Sequence, residues 1–232
     1  MWPATTAVGY NYRVTVKRLT LFEKMVAFVD RDFYMRRVAA EIAGIDGTPQ
    51  QRLIRMYEWV ADNIHAVPPG FPVVDDHVSN IFVRHYGADD QRAEALAALA
   101  SYSGFPATIV GLAKAPKMRG VQLTLVRLGD KLVVFDVIHR IAFRRRSGEL
   151  ADFDDLKRDP SLIADAGAGV VIDSVPYHEH FAHIKDVTPR FLRMEEQRLW
   201  PRLKYELFGR FGAARAETVP HLQRVPELEA AA

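Results

Sequence analysis

The sequence predicts an α+β fold, with helices in the first half of the chain and an antiparallel sheet after them. Up to about residue 103, apolar residues recur every three or four positions, which is the spacing of amphipathic helices. From Ala107 onward they form short strand-like runs separated by turn residues. Helices and strands are thus segregated along the chain, which favours α+β over an alternating βαβ fold.

The composition is that of a folded globular chain of 232 residues, long enough to bury one large core. The net charge of +2 predicts no nucleic-acid partner. The absence of cysteine excludes disulfides, thiolate metal sites and a cysteine nucleophile. No signal sequence is recognisable in Met1–Tyr12, and no apolar run approaches the roughly 18 residues of a membrane span, so we expect a cytoplasmic protein.

Two amphipathic helices are predicted in the first third of the chain. The first covers about Leu19–Ile42, where apolar residues alternate with charged ones at helical spacing. Thr48 and Pro49 are a good N-cap and first-turn pair for the second helix. Its buried stripe consists of Leu53, Ile54, Tyr57, Val60 and Ile64.

Two further helices precede the predicted sheet. After a loop rich in proline at 67–72, Asp75 or Asp76 is predicted to cap a short helix through His77–His85. The segment Asp89–Ser103 is rich in Ala and Leu, and its small residues on several faces predict the central helix of the domain.

Four strand-like runs follow. They are Ala107–Ala113, Val121–Leu128, Lys131–Ile138 and Ile141–Arg145, and the Gly129-Asp130 pair between the second and third indicates a hairpin turn. Further on, a short helix is predicted near 154–158 and a basic amphipathic helix over 190–211, interrupted by Pro201.

One stretch is more specific than its composition. The residues Tyr86 to Ala93 spell YGADDQRA, and Gly104 to Ala107 spell GFPA after an Ala/Leu-rich helix. This pattern resembles the bacterial transglutaminase-like proteins of the papain-like cysteine peptidase fold. Their approximate pattern is Tyr-Gly-Trp-Cys-Asp-Gln-Arg-Ala, a helix, and Gly-Ile-Pro-Ala. The resemblance puts Asp89 where the family has its nucleophilic cysteine.

The resemblance continues into the predicted sheet. The family has a strand with its catalytic histidine, then a turn, Gly-Lys-Trp, three apolar residues and Asp-Pro. Here the corresponding runs are VQLTL from Val121 and KLVVFDV from Lys131. Counting back from Asp136 places the family histidine at Val121, so Asp136 alone remains of the Cys-His-Asp triad.

Three later pieces resemble a subset of the family that is associated with exopolysaccharide gene clusters: residues 142–144, 147–150 and 155–160. The resemblance spans about Asp75 to Pro160. It implies a papain-like core with a central helix packed on an antiparallel sheet and extra helices at both ends. The implied organisation is one domain over 1–212, with a core over about 53–143, a C-terminal helical extension over about 150–212 and a loose tail over 213–232.

The substituted triad leads to two hypotheses of function. Acyl transfer by the triad needs a thiolate to attack and an imidazole to move protons, and Asp89 and Val121 supply neither. The first hypothesis is a catalytically inactive homologue that binds or scaffolds a protein, linked to polysaccharide synthesis or export. The alternative is a hydrolase of altered chemistry that uses Asp89 and Asp136 with a nearby histidine or a metal.

Five residues are predicted to line the old catalytic region as ligand-binding candidates: Asp89, Asp90, His85, Asp136 and His139. The plainer interpretation of Asp89 is an N-cap of the central helix, because helix N-termini favour an anionic or polar side chain. Asp136 is then a hydrogen-bonded residue at a strand end, with no imidazole to orient. The histidines, including His77, are more commonly ordinary polar side chains than catalytic groups.

Three histidines and one basic segment are further candidates for binding a metal or a partner. His178, His180 and His183 lie close enough in sequence to supply two metal ligands from a helix or a strand, although a polar surface segment is favoured and no cofactor is expected. The basic segment 190–215 could contact an anionic membrane, but packing on the domain or on a second subunit is favoured. The expected partner is therefore another protein or a second copy of the chain.

Overall fold

The structure is a computed structural model, and it describes residues 21–73, 77–115 and 118–191. An antiparallel sheet of four strands lies between two layers, one formed by the helices of the first half and the other by residues after 150. This mixed architecture agrees with the α+β prediction. Within the described residues, no helix is both long and apolar enough to cross a membrane.

The first layer contains four helices close to the predicted ones. They are α1 (Leu21–Ala43), α2 (Pro49–Asn63), α3 (Val78–Arg84) and α4 (Asp89–Tyr102). The predicted cap of α2 is confirmed. Oγ1 of Thr48 accepts the backbone N–H of Gln51 at 3.2 Å, and Oε1 of Gln51 accepts the backbone N–H of Thr48 at 2.8 Å. These reciprocal bonds form a capping box, which satisfies N–H groups that a helix start leaves unpaired.

Two details of this layer differ from the prediction. His77 caps α3 by accepting the Ser79 backbone N–H at its Nδ1, at 3.1 Å, whereas Asp75 and Asp76 lie outside the described residues. A short parallel pair, β1 (His65–Ala66) and β2 (Tyr86–Gly87), joins the ends of α2 and α3. Two-residue strands carry no alternation, so the sequence pattern could not reveal them.

The predicted sheet is confirmed as β3 (Ala107–Leu112), β4 (Val121–Leu128), β5 (Lys131–Asp136) and β6 (Ile141–Ala142), paired in that order. The turn between β4 and β5 contains Gly129 at φ +64°, a conformation that glycine adopts without strain. The last predicted strand is shorter than expected: beyond β6, a single bridge joins Arg144 to Leu150.

Residues of β4 alternate between the two layers, as the pleat of a strand requires. Val121, Leu123 and Leu125 are buried against the second layer, whereas Val126 is buried in the core shared with the helices. Thr124 faces α4, and its hydroxyl donates to the Ala93 carbonyl at 2.9 Å. The central helix therefore packs on one face of the sheet, as predicted.

The second layer is built from short elements. They are α5 (Phe153–Arg158), α6 (Ser161–Ala166), the hairpin β7 (Val171–Ile172) and β8 (Val175–Pro176), and 3-10 helices over Tyr177–Phe181 and Ile184–Asp186. The helix predicted near 154–158 is confirmed as α5. The predicted basic helix lies outside the described residues, apart from Arg190 and Phe191.

Candidate functional site

Asp136, the last residue of β5, is the centre of a buried hydrogen-bond network. Its side chain is fully buried, and Oδ1 accepts the backbone N–H groups of Ile138 and His139, each at 2.9 Å. Oδ2 lies 2.8 Å from Nδ1 of His139 and accepts the hydroxyl of Tyr177 at 2.7 Å. Four donors therefore surround one carboxylate, which is the compensation that a buried carboxylate requires.

The sequence interpretation of Asp136 was wrong in one respect. The plainer interpretation had no imidazole beside Asp136, whereas the hydrolase alternative placed a histidine near it. His139, three residues later, turns back and meets Oδ2. The turn arises because the Asp136 side chain binds the two following N–H groups, as in an Asx-turn. The His139 side chain is 22% exposed, while its Nδ1 faces the buried carboxylate.

Two tyrosines beside Asp136 are held protonated. Burial, and then the charge of Asp136, raise the pKa of Tyr57 to about 12. The same two causes raise the pKa of Tyr177 still further, and the hydrogen bond that its hydroxyl donates to Asp136 adds to them. A hydroxyl in that state is a hydrogen-bond donor at neutral pH and not a nucleophile.

Asp89 is the first residue of α4 and does not cap the helix, which corrects the N-cap prediction. The N-cap is Ala88, whose N–H donates to the Gln91 side chain at 3.1 Å. The Asp89 carboxylate instead accepts Nη2 and Nε of Arg119 at its Oδ2, at 2.6 and 3.1 Å. Arg119 comes from the loop before β4, so this ion pair joins the start of the central helix to that loop.

Arg92 connects the charges of the two candidate carboxylates. It lies one helical turn after Asp89, and its Nε donates to the Ile64 carbonyl at 3.0 Å. Burial lowers the pKa of Arg92, while the negative charges of Asp89 and Asp136 act in the opposite direction. One half-buried cation therefore interacts with both acidic positions.

Val121, the position of the family histidine, is fully buried in the core of the second layer. Its backbone pairs with Leu112 of β3. An isopropyl group cannot accept or donate a proton, so this position contributes packing alone.

His85 and Asp90 are not part of the Asp136 network. His85 is exposed at the end of α3, in the left-handed conformation at φ +57°, and its Nδ1 lies 3.1 Å from the Asn63 carbonyl oxygen. Oδ1 of Asp90 accepts the Gln91 N–H at 2.9 Å. Within the described residues, no hydrogen bond links either side chain to Asp89 or Asp136.

The three histidines considered as metal ligands lie in different environments. His180 is fully buried, and both of its ring nitrogens lack a hydrogen-bond partner among the described residues. His178 and His183 are exposed, with Nδ1 of His183 3.8 Å from Asp186. The described part of the chain contains no group of three or more His, Asp or Glu side chains placed to hold a metal ion.

A groove of about 380 Å³ lies in the second layer, within the size range of ligand sites. Its walls are mainly apolar and include Leu156, Ile163, Phe181 and Ile184, with Lys157 and Lys185 also lining it. None of the five predicted ligand-binding residues lines this groove.

Three residues of the site were missed by the sequence analysis: Arg92, Arg119 and Tyr177. Tyr177 is 41 residues from Asp136 and no local pattern connects them. The pairing of Asp136 with His139 could have been found, because an aspartate at a strand end binds the next N–H groups and brings residue i+3 close.

Comparisons with known proteins give distant similarities. No protein-family model and no curated protein match the chain. A proposed cysteine protease from Cytophaga hutchinsonii is 14% identical, with a TM-score of 0.41 over 55% of this chain and 45% of that one. A proposed protease from Parabacteroides distasonis is 12% identical, with a TM-score of 0.37 over 48% of this chain and 25% of that one. This chain spans less than half the length of either structure.

Proposed function

We propose that this chain is a catalytically inactive transglutaminase-like protein that acts by binding another protein. The order of elements supports the family assignment: a central helix starts at the position proposed for the cysteine, and four antiparallel strands follow it. The two remaining triad positions lie at the start of β4 and the end of β5. These element positions support the proposed assignment.

The observation that carries the proposal is the saturation of the Asp136 carboxylate. In the family this residue orients the catalytic imidazole, which a thiolate in turn needs for acyl transfer. Here the hydroxyl of Tyr177 and Nδ1 of His139 bind Oδ2, and two backbone N–H groups bind Oδ1. Asp136 is thus held by the fold, and the other two positions hold neither a thiol nor an imidazole.

The start of α4 supports the same assignment from its electrostatics. A helix N-terminus stabilises an anion through its unpaired N–H groups, and a thiolate nucleophile uses this effect. Asp89 keeps a negative charge there, and its ion pair with Arg119 offsets that charge. The site thus carries an anion at this position without carrying a thiolate.

Replacing Asp89 with cysteine tests the assignment, because the natural chain has no other thiol. We expect the alkylation of Asp89→Cys by iodoacetamide to report a thiol pKa below the ordinary value of about 8.5, since the helix N-terminus and Arg119 favour the thiolate. The matched control is Ile45→Cys, at a position that is 90% exposed and outside any helix. Equal pKa values for the two thiols would contradict a nucleophile position at the start of α4.

The binding partner is proposed from the sequence resemblance. It is a protein of polysaccharide synthesis or export, encountered in the cytoplasm, and a second copy of the chain is the other partner that the sequence favours. The apolar groove of the second layer offers one place where a partner could contact the domain.

A hydrolase of altered chemistry is the second candidate, and one observation favours it. A partly exposed imidazole paired with a buried carboxylate, as in His139 and Asp136, is an arrangement that can take a proton from water. His139→Gln removes the base and can still donate to Asp136. Turnover that this substitution abolishes in a folded protein would establish the hydrolase in place of the inactive homologue.

A further inference from the structure

The groove of the second layer has an apolar floor that is part of the packed core. It is lined by residues of α5 and α6 and of the two 3-10 helices that follow β8. Leu156, Ile163, Phe181 and Ile184 line it, and each of them is at most 5% exposed. Packing fixes side chains that are this deeply buried, so the groove is formed before any ligand arrives.

The polar side chains of the groove are positive or neutral, and none of its described lining residues is acidic. These polar residues are Lys157, Lys185, His178 and Ser161. The acids closest in sequence to the second half of the lining are held elsewhere. Glu179 pairs with Nζ of Lys114 at 2.5 Å. Asp186 lies 3.8 Å from Nδ1 of His183. A ligand that complements this lining therefore carries a negative charge.

The two lysines lie at the same end of the groove. Nζ of Lys157 donates to the Val187 carbonyl at 3.0 Å, and Val187 follows Lys185 by two residues. An ammonium group has three donors, and the ion pair of Lys157 with the exposed Asp154 is long, at 3.9 Å. Lys185 is exposed, and no carboxylate of the described chain pairs with it. Both ammonium groups can therefore still bind an anion.

The surface around the groove differs from a protein interface. Among the described residues after 150, Val171 is the only large apolar side chain that is exposed. A stable interface buries about 800 Å² on each partner, with apolar side chains at its centre. The accessible apolar surface here is concave instead, and its volume of about 380 Å³ is that of a small-molecule site.

We propose that this groove binds a small organic anion with an apolar body, such as a medium-chain fatty acid, with its carboxylate against Lys157 and Lys185. The hydrocarbon chain packs on the buried floor, and the ammonium groups bind the carboxylate. This goes beyond the protein binding proposed above, because it assigns the groove to a ligand and leaves the partner protein another surface.

Three probes that share one apolar chain and differ in the charge of the head group test the proposal. They are decanoate, decanol and decylammonium, titrated into the full chain by calorimetry below their micelle concentrations. We expect decanoate to bind about tenfold more tightly than decylammonium, with decanol between them, because attraction in one case becomes repulsion in the other. Equal affinities for the three probes, or no binding of decanoate, would overturn the proposal.

Lys185→Gln tests the contribution of the charge. We expect it to weaken decanoate binding by up to about fivefold, the range of an exposed ion pair, and to leave decanol binding unchanged. The matched control is Lys131→Gln, at a partly exposed lysine of β5 that does not line the groove. Equal losses in the two variants would overturn the proposal, because the net charge of the protein would then account for them.

A single cysteine in the groove locates the ligand, since the chain has no other thiol. Ala182 is exposed and lines the groove. Decanoate at ten times its Kd should slow the maleimide labelling of Ala182→Cys about tenfold and leave that of Ile45→Cys unchanged. Labelling of Ala182→Cys that decanoate does not slow would overturn the proposal. Slow labelling without ligand would overturn it too, by assigning the groove to a second copy if dilution restores the rate and to the chain itself if dilution does not.

Discussion

The hydroxyl of Tyr177 donates a 2.7 Å hydrogen bond to Oδ2 of Asp136, which lies 41 residues earlier in the chain. The bond joins the second layer to the end of β5, and both side chains are almost completely buried. This contact therefore helps to hold the buried Asp136 carboxylate in place.

Tyr177→Phe removes this donor and keeps the ring that packs on Phe181. We expect the free energy of unfolding to fall by about 1.5–3 kcal/mol, the usual loss for a buried hydrogen bond to a charged group. Urea denaturation measures the loss of unfolding free energy. The control is Tyr34→Phe, at an exposed tyrosine of α1. A change no larger than that of the control would show that Asp136 does not depend on Tyr177.

Arg119→Gln removes the ion pair with Asp89. The Arg119 side chain is 59% exposed, so solvent screens the pair. We expect a loss of at most about 1 kcal/mol of unfolding free energy, smaller at high salt. Urea denaturation at two salt concentrations provides the measurement. A loss of unfolding free energy that is much larger than this limit and independent of salt would mean that Arg119 stabilises the fold through contacts other than this ion pair.

Stability should fall at alkaline pH because of the buried tyrosines. The folded-state pKa of Tyr57 is raised to about 12 and that of Tyr177 is raised as well, against about 10 in the unfolded chain. Their contribution to stability is complete below pH 10 and is lost as the pH rises toward 12. The urea midpoint of the natural chain should therefore drop between pH 9 and about 11. The drop should be smaller in Tyr57→Phe. Equal drops in the natural chain and in Tyr57→Phe would contradict the assignment to Tyr57.

Asp155 should contribute to stability on the acid side. Burial raises its pKa, but hydrogen bonds from Arg145 and from the Asp152 N–H outweigh burial and leave the pKa below the ordinary value of 3.8. The stabilisation is present above that value and is lost as the pH falls below it. The urea midpoint should drop more between pH 7 and about 3 for the natural chain than for Asp155→Asn, and parallel curves would exclude this role.

The fold was largely predictable, since local patterns determine most of its elements. The capping box at Thr48, the helix from Asp89 and the hairpin at Gly129 each follow from residues close together in sequence. The second layer was not predicted in detail, because its short elements are too brief to show a period. The pairing of β1 with β2 depends on tertiary contacts for the same reason.

The sequence predicted where the two carboxylates of the candidate site lie in the fold, but not which side chains they contact. Asp89 lies at a helix start and Asp136 at a strand end, as the local sequence pattern predicts. The partners of these carboxylates were not foreseen, because Arg119 and Tyr177 come from distant segments. His139 was a candidate whose i+3 relation to Asp136 was overlooked.

A comparison of turnover decides whether this site catalyses a reaction. The natural chain, Asp89→Asn and His139→Gln would be assayed for repeated hydrolysis of nitrophenyl esters and for ammonia release from a glutamine peptide. We predict the same background rate for all three proteins, as the proposal of an inactive homologue requires. Multiple turnovers by the natural chain that fall by about 100-fold in folded His139→Gln, the effect of removing a general base, would contradict this proposal.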